Sequence, residues 1–151
     1  MSEIAMDAVI EKLIEALEQM AFLSVGPAEQ AAAPASPLYL SLDFSGPWWG
    51  RLGLLTDQGV GAIMASNMLA TGPDAPEALL YARDALRELL NIVCGALLHD
   101  HASCATQTFA VGIPRLKSIT AEQWNHILAD GNFIPLDADG LALAIRLKEL
   151  V

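Results

Sequence analysis

The chain has 151 residues, room for one domain with a sizeable core, and 54% of them are apolar against 17% charged, the composition of a packed globular protein. A net charge of −10 excludes binding of nucleic acid or anionic lipid through a basic surface. No stretch reaches the roughly 20 apolar residues that span a bilayer, and residues 1–20 lack a basic segment followed by an unbroken apolar run. The expectation is a cytoplasmic protein, one domain over 1–151, without membrane insertion and with Cys94 and Cys104 as reduced thiols.

Ile4, Ala8, Leu13, Leu17, Met20 and Ala21 recur at helical steps and predict a first helix from about Ile4 to Ser24. Residues 26–37, rich in Ala, Pro, Gly and Ser, read as a loop. Leu38, Leu40 and Leu42 alternate with Tyr39, Ser41 and Asp43, and a second run follows from Trp48 to Leu55 across Ser45-Gly46-Pro47, which predicts an antiparallel hairpin. Neighbouring strand residues face opposite sides, so one of Trp48 and Trp49 must point outward. Thr56 and Asp57 are N-cap candidates for a second helix that ends near Thr71-Gly72-Pro73.

From Glu77 to Leu98 the chain runs for more than about five helical turns without Pro and with one Gly, the longest predicted helix. Alternation returns around Thr106 to Ile113, Pro114 to Lys117 read as a solvated loop, and Thr120 to Gln123 form a capping box for a short helix. Two strands close the chain, Asn132 to Leu136 and Leu141 to Leu147, with Asp139-Gly140 as the turn between them. Such an order lacks regular strand-helix alternation, so the predicted fold class is α+β, with long helices on a largely antiparallel sheet.

On the long helix Asp84, Glu88, Asn91 and Gly95 fall within roughly a 60° arc. Leu86, Leu89, Leu90, Ile92, Val93, Ala96 and Leu97 cover most of the remaining circumference, which predicts a helix buried nearly all round except along that polar line. A solvated stripe is the bland explanation. Against it, Asn is a mediocre helix former and Gly costs about 1 kcal/mol relative to Ala inside a helix, so neither serves the helix itself. Close approach by a partner would account for both.

The string Asp84-x-x-x-Glu88-x-x-Asn91-x-x-x-Gly95 resembles the signature helix of the CheC/CheX/FliY chemotaxis phosphatases. The resemblance extends to the Gly50-Arg51-Leu52 strand before a helix, the Ile113-Pro114 step and the closing hairpin, from about residue 38 onward. It implies a CheC-like fold and hydrolysis of the aspartyl phosphate of a CheY-like receiver domain. Asn91 would orient the attacking water, Glu88 would engage the receiver's lysine, and Asp84, Arg87 and Gly95 would contact the partner. The chemistry fits those residue types. An acyl phosphate is already reactive, the receiver brings its own magnesium, and a carboxamide can accept from water while donating to a phosphoryl oxygen. No cofactor of the chain's own is implied.

Some CheC-type members repeat the motif on the first helix. Here Glu11, Glu15 and Glu18 are followed three residues later by Ile14, Glu18 and Ala21, never by Asn. The single-site pattern is closer to CheX, whose members dimerise, and a homodimer is the expectation. The alternative function in this fold is a non-catalytic adaptor that binds a receiver or a flagellar switch component.

Cys94, His99, His101 and Cys104 are close in sequence, but their spacing is not that of a structural zinc site, and no metal is expected. Cys104, His101 and Asp100 are too near one another along the chain to assemble as a nucleophilic triad. No phosphate-cradling glycine loop or dinucleotide fingerprint is present.

Overall fold

A computed structural model describes residues 4–101 and 109–150. Its elements in chain order are α1 (Met6–Ala21), β1 (Val25–Pro27), β2 (Pro37–Ser45), β3 (Trp49–Asp57), α2 (Gln58–Leu69), α3 (Pro76–His101), β4 (Ala110–Val111), β5 (Arg115–Ser118), α4 (Ala121–Ala129), β6 (Ile134–Ala138) and β7 (Leu141–Leu150). Every strand pairing is antiparallel, in the order β1-β6-β7-β3-β2, and β4 and β5 share the outer edge of β2. This is the α+β class that the element order predicts.

Local chemistry sets most boundaries. β2 alternates without a break, with Leu38, Leu40, Leu42 and Phe44 buried toward the helices and the residues between them half-buried on the other side. Asp57 ends β3 and caps α2, its carboxylate accepting from the Gly59 N–H at 3.0 Å and the Ser36 N–H at 2.9 Å. Thr120 and Gln123 make the reciprocal capping box that opens α4. Asp139 and Gly140 take φ values of 48° and 90°, the left-handed pair that a tight hairpin between β6 and β7 requires. Trp48, in the bend just before β3, is buried and Trp49, the first residue of β3, is 59% exposed, so one ring points outward as expected.

Several expectations need correction. α1 stops at Ala21, not Ser24, because Phe22 turns left-handed at φ 53° and its N–H bonds back into the last turn. Within residues 26–37, read as a loop, the start belongs to β1, paired with β6. Arg115, Leu116 and Lys117, also read as loop, lie in β5, paired with β2 from Leu38 to Ser41. Both are edge strands with little buried surface, so neither carries apolar alternation. Of the strand expected around 106–113, only Ala110 and Val111 form β4, and 106–108 lie outside the described residues.

Two cores follow. The larger lies between α1, α2, α3 and the inner sheet face, with Leu13, Leu17, Leu40, Leu52, Met64, Leu86 and Leu89 essentially inaccessible. The smaller lies on the outer face beneath α4, where Trp124, fully buried, donates from Nε1 to the Ala31 carbonyl at 3.1 Å and packs with Leu55, Phe133 and Ala144. Beyond α4 the outer face is open. Its cross-strand rows hold Arg115, Lys117, Arg51, Arg146 and Lys148, five of the eight basic residues of the chain, with Asp43 bonded to Arg51 among them.

Candidate functional site

The long helix predicted over residues 77–98 is α3, which runs from Pro76 to His101 and packs against α1, α2 and the sheet. Its inner side buries Leu86, Leu89, Leu90, Val93, Cys94, Leu97 and Leu98. Lys12 of α1 meets Asp100 at 2.6 Å near the far end, and that contact holds the Asp100 carboxyl below its ordinary range.

Asp84, Glu88 and Gly95 are exposed and Asn91 is half-buried, all on the solvent side of α3, so the structure brings the predicted stripe together on one accessible line. The line is not the whole of that side. Ile92, expected among the buried residues, is 40% exposed, and Arg83 and His99 also face out. A helix held on its inner side by α1, α2 and the sheet keeps a broader wet sector than a strictly polar line implies.

Arg87 does not reach outward unengaged: its Nη1 donates to Asp84 Oδ1 at 2.9 Å, one turn back. Among the described residues neither the Glu88 carboxylate nor the Asn91 carboxamide has such a partner. Three residues apart on a helix, the two side chains stand about 5–6 Å from each other at their Cβ atoms, close enough to address one small group together. Around Gly95 an added Cβ would meet nothing within 4 Å, so nothing in the chain itself demands glycine there.

Sequence patterning missed the surroundings of Glu88. A groove of about 430 Å³ between α2 and α3 is lined by Ala65, Met68, Leu69, Tyr81, Asp84, Ala85 and Glu88. Met68, Leu69 and Tyr81 are large apolar residues left 64, 43 and 48% exposed. The available signal was the Met68-Leu69 pair just before the Thr71-Gly72-Pro73 helix stop, but which side it faces depends on how α2 meets α3.

Cys94 is buried, and desolvation pushes its thiol up to about 11. His99 is exposed, and His101 Nδ1 lies 2.7 Å from the Leu97 carbonyl. Cys104 lies outside the described residues. Among the described residues no three His, Cys, Asp or Glu side chains are gathered where a metal ion could sit, and no helix is long and apolar enough to cross a membrane. On α1 the carboxylates of Glu11, Glu15 and Glu18 are exposed, and none is followed by asparagine three residues on.

The fold is shared with solved chemotaxis proteins. A chain of the CheX–CheY–BeF3–Mg2+ complex from Borrelia burgdorferi superposes with a TM-score of 0.66 at 15% identity, covering 97% of both chains. CheX from Vibrio vulnificus gives 0.65 at 17% identity, over 95% of this chain and 97% of that one. A CheC-like superfamily protein from Shewanella sp. PV-4 gives 0.63 at 19% identity, over 97% of each. No curated protein matches the chain significantly in sequence. The sequence profile of the chemotaxis phosphatase CheX family matches residues 39–133, more than half the chain and including the whole Asp84 to Gly95 stripe: the chain belongs to the CheX family.

Proposed function

We propose that the chain is a phosphatase that hydrolyses the aspartyl phosphate of a CheY-like receiver domain, with Asn91 orienting the attacking water and Glu88 anchoring the receiver through its lysine. The observation that carries this reading is the pairing of Glu88 and Asn91, one turn apart on the accessible side of α3 and bonded to no other described residue. Membership of the CheX family supports the reaction, and the solved CheX–CheY complex supports the class of partner.

The mechanism asks little of the chain beyond placement. The receiver carries the labile acyl phosphate and supplies the magnesium that offsets charge on the transferring group. The Asn91 carboxamide accepts a hydrogen bond from water and donates to a phosphoryl oxygen, which holds the water in line with the scissile P–O bond. Water attacks phosphorus, the bond to the aspartate oxygen breaks, and inorganic phosphate and the free carboxylate leave. No strong base is needed because the leaving carboxylate is a good one. Glu88 fixes the register of the two proteins, and that fixed geometry is the main source of acceleration.

The test is the decay of phosphate on a panel of receiver domains with wild type and with the Glu88→Ala/Asn91→Ala double variant. Faster decay with the wild type only establishes the reaction and names the receiver. Binding without acceleration would replace the enzyme by a receiver-binding adaptor.

A further inference from the structure

The helix layer carries an apolar patch that the fold does not use. Met68 and Leu69 close α2 and Tyr81 stands in the second turn of α3, all three exposed and lining one groove. Contiguous exposed apolar surface of this kind marks an interaction site more often than chance, because single exposed side chains are common and clusters of large ones are not. Ala70 takes a left-handed φ of 55° at the end of α2, which turns the chain away directly after Leu69 and leaves the groove between the helices uncovered.

The groove is continuous with the stripe. Buried Ala65 and Ala85 contribute small side chains to its lining, Met68, Leu69 and Tyr81 rise around them, and Asp84 and Glu88 belong to the groove and to the stripe at once. A protein substrate held by Glu88 and Asn91 alone would bury only a small part of the roughly 800 Å² per partner that specific recognition takes. The rest has to come from surface beside the stripe, and on the α2 side that surface is the groove. Its chemistry is mixed: an apolar lining plus carboxylates, of which Asp84 is already engaged by Arg87 while Glu88 is not.

Resting on the phosphatase reading above, we infer that this groove is the receiver-docking surface and that Met68, Leu69 and Tyr81 determine which receiver is accepted. It takes an apolar side chain of the phosphorylated receiver between Met68, Leu69 and Tyr81, with a neighbouring receiver cation against Glu88. Docking there would set Asn91, one turn beyond Glu88, over the phosphoryl group. Recognition and chemistry then share one carboxylate but otherwise use different residues.

That division is what the experiment reads. Steady-state dephosphorylation of the receivers is measured with wild type, Asn91→Ala and a Met68→Asp/Tyr81→Ala variant, whose retained fold is checked by thermal unfolding. The groove variant is expected to raise KM about tenfold or more with kcat within about twofold, since it removes binding that does not change between ground and transition state. Asn91→Ala is expected to do the reverse. A folded groove variant with wild-type KM overturns the inference. In parallel, equilibrium binding of beryllofluoride-loaded receivers is compared for the same proteins. Receivers bound by wild type and Asn91→Ala but not by the groove variant support the docking surface, even where no receiver is dephosphorylated and the phosphatase reading has failed. Equal binding by the groove variant, or a panel that the wild type does not bind at all, overturns it.

Discussion

The backbone of Gly61 on α2 lies so close to the Ala82 carbonyl on α3 that a single added side-chain carbon would collide with it, and with the Leu86 side chain behind. This contact seats α3, and the stripe on it, against α2. Alanine is the better helix former by about 1 kcal/mol, but the clash is with backbone, which cannot swing aside, and overpacking of this kind costs about 1–3 kcal/mol. Gly61→Ala is expected to lower the melting temperature by about 2–4 °C for each kcal/mol of net loss. A rise in Tm would show that the two helices separate freely.

Gly95 makes the opposite case. With open space around its missing Cβ, Gly95→Ala should raise stability by up to about 1 kcal/mol through helix propensity alone. If a receiver backbone approaches α3 there, the same variant loses dephosphorylation while it gains stability. Chemical denaturation and the phosphate-decay assay, run on one preparation, separate the two effects; a variant more stable and equally active would remove Gly95 from the partner contact.

Burial holds the Cys94 thiol at about 11, well above the ordinary thiol value, so almost no thiolate exists near neutrality. In a Cys104→Ser background, where Cys94 is the only thiol, an aromatic disulfide reagent at mildly alkaline pH should react no faster than the native state opens. Reaction at the rate of the denatured chain would contradict the packing of α3 on its inner side.

On the outer sheet face Arg51 donates from Nε to Asp43 at 2.6 Å and from Nη2 at 3.0 Å, and this bond holds the Asp43 carboxyl below its ordinary range against the opposing effect of burial. A depressed folded value gives stability that is present above the unfolded pKa of about 3.9 and is lost as pH falls through the folded value. Both side chains are more than a third exposed, so solvent screening keeps the effect small. Asp43→Asn should cost no more than about 1 kcal/mol at neutral pH. Urea titrations at descending pH should show wild type and variant converge below pH 4 or so; a constant gap would mean that the pair acts through shape rather than charge.

Trp124 anchors α4 to the segment around Ala31 through a buried ring and one hydrogen bond. Trp124→Phe strands the Ala31 carbonyl and leaves a void, a loss of about 1–3 kcal/mol, and Trp124→Ala about 3–5 kcal/mol. Because this core lies on the sheet face away from α3, folded Trp124→Phe should retain receiver dephosphorylation. Activity lost in step with stability would tie the two faces together.

Most elements were legible because each announced itself locally. Asp57, Thr120 with Gln123, and Asp139-Gly140 are caps and turns whose side chains or φ angles do the same work in the structure that their positions imply. The stripe from Asp84 to Gly95 was legible because helical spacing alone puts those residues on one side. What escaped depended on neighbours far along the chain. β1 and β5 take their strand character from β6 and β2, not from their own pattern. Ile92 is exposed, and Met68 and Tyr81 line a groove, because of where α3 is held relative to α1 and α2, a tertiary fact with no counterpart in periodicity.

The five cations on the open side of the sheet stand opposite α1, α2 and α3, which together carry eight carboxylates against Lys12, Arg83 and Arg87. Charge is therefore spread unevenly, with more net negative charge on these three helices than on the open sheet face. A body charged in this way turns before it touches: in the field of a basic surface it presents α3, and in the field of an acidic one it presents the bare sheet. Orientation during diffusion shortens the search for a productive encounter. That advantage fades as added salt shrinks the reach of the field from about 10 Å at 0.1 M to about 3 Å at 1 M.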